Sequence, residues 1–217
     1  MDWLTDPGNA RALLDGFLET LKLVVVSGLG ALVLGTLLAS ARVSPVPILR
    51  RTVAAYVTLV RNTPLLVLII LTYYGLPELD IRFSYFTQVV LALALYTAAF
   101  VAEALRSGVN AVSVGQAEAA RAIGLPFGKS MTQVVLPQAF RAVVPPMANV
   151  LIALTKNTSL AQGFGIAEAT FRMKGFQNDY ATERISIFVG IAIGYIIIVE
   201  AISGAAYLLE RRWRAER

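Results

Sequence analysis

The 217 residues are 57% hydrophobic and 15% charged, a composition without enough polar surface to cover a soluble core, which leaves a polytopic membrane protein. There is no cysteine and no histidine, which removes disulfides, thiol chemistry and the usual zinc or haem ligands. The formal charge of +5 falls between and after apolar runs, a topology signal rather than a nucleic-acid-binding stripe.

Met1 to Asp15 carries no basic segment ahead of an apolar stretch, so a cleaved signal peptide is not expected there. An amphipathic lead-in, Ala10 to Lys22, passes into an uncharged run, and a first span is expected over 18–41, enough to cross a hydrocarbon core of about 30 Å. Arg42, Arg50 and Arg51 follow, with Pro45 and Pro47 turning the chain. A second span is expected over 52–76, with Arg61 near its middle and Pro64 just beyond. Glu78, Asp80 and Arg82 form a small charged loop before a third span, 83–105. Pro145 and Pro146 are expected in the first turns of a fourth span, 142–158, where a missing amide donor costs least. A polar loop from Ser159 to Glu183, with room for a short helix, leads to a fifth span, 185–209, whose Gly190 and Gly194 offer a small-residue packing face. Residues 1–217 are thus expected to form one all-α membrane domain of five transmembrane helices, without an internal repeat.

Positive charge sets the expected orientation. Arg42, Arg50 and Arg51 follow span one, Arg106, Arg121, Lys129 and Arg141 follow span three, and Arg211, Arg212, Arg214 and Arg217 close the chain, all on one side of five spans. Basic loops stay inside, so this side is expected in the cytoplasm with the carboxyl terminus, and the amino terminus outside.

The loop 106–141 between spans three and four holds a charged stretch, Glu118 to Pro137, that must lie in water. Ser113 with Gln116 gives a capping-box start, and Gly124 followed by Pro126 gives a stop. A second amphipathic piece, about Lys129 to Pro137, leads back into apolar sequence. The result is a helical knob, small-faced at Ala119 and Ala120, around which another protein's groove can close. Gly124 to Ser130 imitates a phosphate-binding loop, but three residues separate its glycines where the cradle needs four, and no strand precedes it.

Charges at membrane depth are the remaining signal, because Arg61, Glu103, Lys156 and Glu200 are costly there unless paired, snorkelled or facing a wet cavity. Pro64 disfavours helix at Thr63 and removes a backbone bond, so a break is expected that frees the Leu65 and Leu66 amides for a carboxylate. A plain proline kink with Arg61 reaching toward headgroups is the alternative. Glu103 suits a ligand's ammonium, or pairs with Arg106 three residues on. Lys156 is a carboxylate partner or an interfacial lysine, Asn157 and Thr158 are hydrogen-bonding groups at a polar helix end, and Glu200 is expected to pack against the tail or a partner. The candidate substrate-binding residues are Arg61, Thr63, Leu65, Leu66, Glu103, Lys156, Asn157 and Thr158.

Glu118-Ala119-Ala120, Gly124 and, after nine intervening residues, Val134, Leu136 and Pro137 resemble the EAA loop of ABC-importer permeases, with Val134 where isoleucine is more usual. Arg61-Asn62-Thr63-Pro64-Leu65-Leu66 and Lys156-Asn157-Thr158-Ser159-Leu160 resemble segments of polar amino-acid permeases, the histidine, glutamine and glutamate family. The likeness covers most of the chain from the second span onward. It implies a five-helix core and a coupling helix, here Glu118, Ala119, Ala120, Gly124, Leu125 and Pro126, that docks onto an ATP-binding subunit. It also implies two such subunits holding ATP and Mg, a second permease subunit, identical or homologous, and an extracytoplasmic substrate-binding protein. This chain would hold no cofactor, metal or catalytic site of its own and bind no nucleic acid, and would sit among lipid in a prokaryotic plasma membrane.

The expected function is that of a permease subunit of an ATP-driven importer for polar amino acids, glutamate or glutamine first, since Arg61 and Lys156 favour an anionic or zwitterionic ligand. Cationic substrates such as arginine or histidine are the alternative and need carboxylates, of which this chain offers Glu103. From another class, an ion-coupled secondary transporter also bears intramembrane charges, but it normally needs more spans or an internal repeat and has no use for an EAA loop.

Overall fold

The computed structural model describes residues 2–214, with side chains from Trp3 to Arg212, so Met1 and Arg217 of the readings above lie outside the described residues. Among the described residues every regular element is helical. The first long helix, α1 (Pro7–Arg42), starts where the Asp6 side chain accepts from the Gly8 amide at 2.7 Å with Pro7 in the first turn. Its 36 residues run to about 54 Å at 1.5 Å per residue, so the lead-in and the span are one rod that overreaches a bilayer core.

Chain reversal at Pro45 brings in α2 (Pro47–Arg61), and α3 (Leu65–Ile70) follows after a gap of three residues. The two halves meet at 104°. Pro64 sits at φ −60°, ψ 132°, outside helical space, and the residues before it close off α2 with their own side chains. Asn62 Nδ2 donates to the Thr58 carbonyl at 2.8 Å and Thr63 Oγ1 to the Leu59 carbonyl at 2.9 Å. The chain continues from α3 through a π-helical turn, Leu71–Gly75, to Glu78.

The central helix is α4 (Tyr85–Asn110), capped by Ser84, whose hydroxyl accepts from the Thr87 amide at 3.2 Å. Of its most apolar stretch 61% is buried, against 11% for the last span, which makes α4 the post around which the others pack. Close approach to it rests on small residues, because lipid supplies no hydrophobic drive between helices and packing decides. A Cβ on Gly35 of α1 would lie 2.5 Å from the Val101 side chain, and one on Gly108 2.1 Å from that of Val143. Leu23, Leu65, Ile69, Val89, Leu93 and Leu154 then form one core, so the start of α3 is anchored inside the bundle.

Beyond α4 come α5 (Val114–Ala122), a turn Phe127–Ser130, a second π-helical turn Met131–Val135, and α6 (Leu136–Asn157). Pro145 and Pro146 lie well inside α6 rather than in its first turns. The N-terminal places that prolines favour are taken instead by Pro126, which caps the Phe127–Ser130 turn, and by Pro137 in the first turn of α6. The polar loop after α6 contains α7 (Ala169–Asp179), and α8 (Arg184–Arg214) completes the bundle. Gly190 and Gly194 are close-packed, but by aromatic side chains rather than a helix backbone. Added Cβ atoms there would meet Trp3 at 2.9 Å and Phe17 at 2.1 Å.

Candidate functional site

The break between α2 and α3 leaves Arg61 at a helix end beside α4, its guanidinium over the Phe100 ring at 5.4 Å from the centroid. Phe100 in turn packs on Tyr96 at 5.0 Å, one helical turn earlier on the same face. Both rings line a cavity of about 320 Å³ between α4 and α6, together with Asn149 and Asn157 and the aliphatic wall of Val150, Ala153 and Leu154. A mostly apolar recess with a few convergent amides and a flanking guanidinium is the general form of a small-ligand site.

One turn further along α4, Glu103 is already bound. Arg106 Nε lies 3.1 and 3.2 Å from its two carboxylate oxygens, and Arg42 Nη1 lies 3.4 Å away. Its engagement of a ligand's ammonium therefore requires these ion pairs to open. Of the remaining sequence candidates, Asn157 faces the cavity, whereas Lys156 is exposed and not among its lining. Thr158 is buried with its hydroxyl on the Thr155 carbonyl at 2.7 Å, and Thr63 is likewise turned back on α2. Leu65 is packed in the core and Leu66 is 45% exposed. Glu200 is exposed on α8.

Tyr96, Phe100 and Asn149 were missed by the sequence reading. The available signals were an aromatic pair four residues apart leading to Glu103, and two amides, Asn149 and Asn157, eight residues apart in an apolar run. Both spacings place their members on one helix face.

The second candidate surface is α5 and the turn after it. Ser113 takes the N-cap position but its side chain makes no cap bond, so the expected capping box is not formed. The Gln116 amide donates instead to the Ser113 carbonyl at 3.0 Å. Gly124 ends the helix at φ +83°, with its amide on the Arg121 carbonyl at 2.9 Å and the Leu125 amide on Ala120 at 3.1 Å, a Schellman stop that favours glycine. Ala120 is buried, while Glu118 and Ala119 are exposed and Leu125 is half-buried before Pro126 starts the next turn. Val114, Ile123 and Phe127 stand 71%, 78% and 75% exposed, an apolar presentation suited to a partner.

A third feature was not foreseen. Glu168 is fully buried and caps α7, its carboxylate accepting from the Thr170 and Phe171 amides at 2.9 and 2.8 Å and from the Tyr195 hydroxyl at 2.8 Å. The next amide, Ala169, donates to Thr20 Oγ1 at 3.2 Å. Loop helix, first span and last span are thereby tied at one point. Burial pushes the Glu168 carboxyl above its ordinary range, partly offset by these donors.

Residues 31–215 match the family described as the binding-protein-dependent transport system inner membrane component. The chain belongs to that family. This membrane component is 42% identical over 199 residues to the glutamate transport system permease protein GluC of Corynebacterium glutamicum, covering 86% of this chain and 87% of that one. It is 34% identical over 208 residues to the probable glutamine ABC transporter permease protein GlnM of Bacillus subtilis, covering 94% of each. Among solved structures, an amino acid ABC transporter crystallised with histidines superposes at a TM-score of 0.89 with 30% identity, covering 98% of this chain and 99% of that one. The membrane component thus shares an all-α, polytopic fold with these transporters.

Proposed function

We propose that this membrane component is the permease subunit of an ATP-driven importer of polar amino acids of the glutamate or glutamine class. The observation that carries the reading is the cavity between α4 and α6, which is lined by two amides and by the Phe100 ring that has the Arg61 guanidinium over its face. Arg61, with the Leu65 and Leu66 amides at the start of α3, receives the α-carboxylate or an acidic side chain, and Asn149 and Asn157 hydrogen-bond the remaining polar groups. Glu103, neutralised by Arg42 and Arg106, is a poor ligand for a cationic side chain, which weighs against arginine or histidine.

In this reading the basic end of the bundle, with α5, faces the cytoplasm and the amino terminus lies outside. An extracytoplasmic binding protein delivers the amino acid. Two ATP-binding subunits hold ATP and Mg and move α5 by its exposed apolar residues, and two permease subunits flank the path. The chain itself performs no covalent chemistry. Glu118, Ala119, Ala120, Gly124, Leu125 and Pro126 carry the coupling, because the Schellman stop fixes the angle at which the motion of α5 passes into α6.

The test is reconstitution of the chain with its copurifying subunits and binding protein, measuring uptake and ATP hydrolysis across a panel of amino acids. Stimulation by glutamate or glutamine above cationic amino acids supports the reading. Uptake that persists without ATP while an ion gradient is held would replace it with secondary transport.

A further inference from the structure

A groove of about 920 Å³ opens at the basic end of the bundle, between the last turns of α1, the last turns of α4 and the segment that leads into α6. The hydroxyls on its helical walls are spent on their own helices. Thr36 donates to the Leu32 carbonyl at 2.7 Å, Ser40 to Thr36 at 2.9 Å and Thr132 to Gly128 at 2.8 Å, so the wall is apolar in effect. Two guanidiniums, Arg106 and Arg141, also line it.

Arg106 shares the Glu103 carboxylate with Arg42, and two cations facing one anion leave that end of the groove positive. An apolar slot under a positive rim at the membrane boundary is complementary to a ligand that joins hydrocarbon to a negative headgroup. Neither a free anion nor a neutral hydrocarbon uses both parts of the wall.

We propose that this groove holds an anionic glycerophospholipid, its hydrocarbon along α1 and the start of α6 and its phosphate on Arg106 and Arg141. With the basic end cytoplasmic, as in the orientation proposed above, the lipid comes from the inner leaflet. It bridges the first span to the segment that joins α5 to α6, and so bears on the part of the chain assigned to coupling.

The chain with its copurifying subunits is placed in nanodiscs of mixed phosphatidylcholine and phosphatidylglycerol, returned to detergent and examined by native mass spectrometry for retained phospholipid. This readout depends on neither transport nor orientation. Wild type is expected to retain phosphatidylglycerol in preference to phosphatidylcholine, and Arg141→Gln to lower that preference by about fivefold. Ser40→Trp, at an exposed position on the slot wall, is expected to reduce retention of both lipids. Equal retention of the two lipids by wild type, or undiminished retention by Ser40→Trp, overturns the assignment. A photoreactive benzoylphenylalanine at position 40 supplies an independent readout. Capture of lipid supports the site, and capture of an ATPase subunit or a second copy of this chain shows that protein covers the groove and overturns it.

Discussion

The Tyr195 hydroxyl donates to the Glu168 carboxylate at 2.8 Å, joining the last span to the loop helix that precedes it, and shares Thr170 Oγ1 at 3.1 Å. Removing that donor by Tyr195→Phe leaves a buried carboxylate short of one partner and is expected to cost about 1–2 kcal/mol. The loss is read as a lower thermal midpoint of the purified protein and faster proteolysis around α7.

The same carboxyl gives a pH test. Because burial raises its folded pKa, the folded state holds the proton more tightly than the unfolded one, so this contribution is complete at low pH and is lost as pH rises through the raised value. The midpoint of wild type relative to Glu168→Gln, which cannot titrate, is therefore expected to fall as pH is raised upward from the ordinary carboxyl range. A difference that stays constant as pH rises would mean that Glu168 titrates as an ordinary carboxyl.

Arg61 carries its guanidinium over the Phe100 ring, and a lysine keeps the charge without the plane or the fork. Arg61→Ala is expected to weaken uptake of acidic amino acids more than of neutral ones. Arg61→Lys should give a smaller loss, of the order of the roughly 0.5–2 kcal/mol of a cation–π contact, expressed mainly in KM. Equal losses for acidic and neutral substrates would show that Arg61 holds the helix break rather than a ligand.

Gly124→Val places a β-branched residue at φ +83°, where an L side chain costs about 1–2 kcal/mol, and so distorts the exit from α5. Together with Glu118→Lys it is expected to abolish substrate-stimulated ATP hydrolysis while membrane insertion, followed by fractionation, stays intact. A cysteine introduced near Lys129 should react with an impermeant reagent only from the cytoplasmic side, and labelling from outside would invert the orientation.

Gly108 lies against Val143 so closely that an added Cβ would fall 2.1 Å from its side chain and 3.0 Å from the Ala139 carbonyl. Gly108→Ala is expected to destabilise the α4–α6 contact by about 1–3 kcal/mol, lowering the yield of folded protein in detergent. Val143→Ala should restore part of the loss by vacating the space, an outcome that a purely backbone effect of glycine would not give.

Residues with strong local physics were legible before the structure. Pro64 disfavours helix at Thr63 and removes a backbone bond, and the break followed, whereas the sealing of α2 by the Asn62 and Thr63 side chains was not foreseen. Gly124 ahead of Pro126 gave the stop after α5 for the same reason. Pro145 and Pro146 were placed too early because proline chemistry alone does not say which of several prolines takes the helix start, and Pro126 and Pro137 were equally qualified. Ser113 and Gln116 have the spacing of a capping box, but the Ser113 side chain makes no cap bond. Glu168, Tyr195 and Thr20 could not be joined in advance, since 148 residues separate the first from the last and no period links them.

By itself the sequence determined that this chain is a set of apolar helices, where the second of them breaks and where a short helix with a glycine stop interrupts the apolar runs, because hydropathy, proline and charge act over a few residues. The tertiary structure decided which polar groups meet: Arg61 on Phe100, Asn149 and Asn157 in one cavity, Glu103 between two arginines, and Glu168 under Tyr195. Those meetings depend on how closely helices approach, and that is set by Gly35 and Gly108 against side chains far away in the chain.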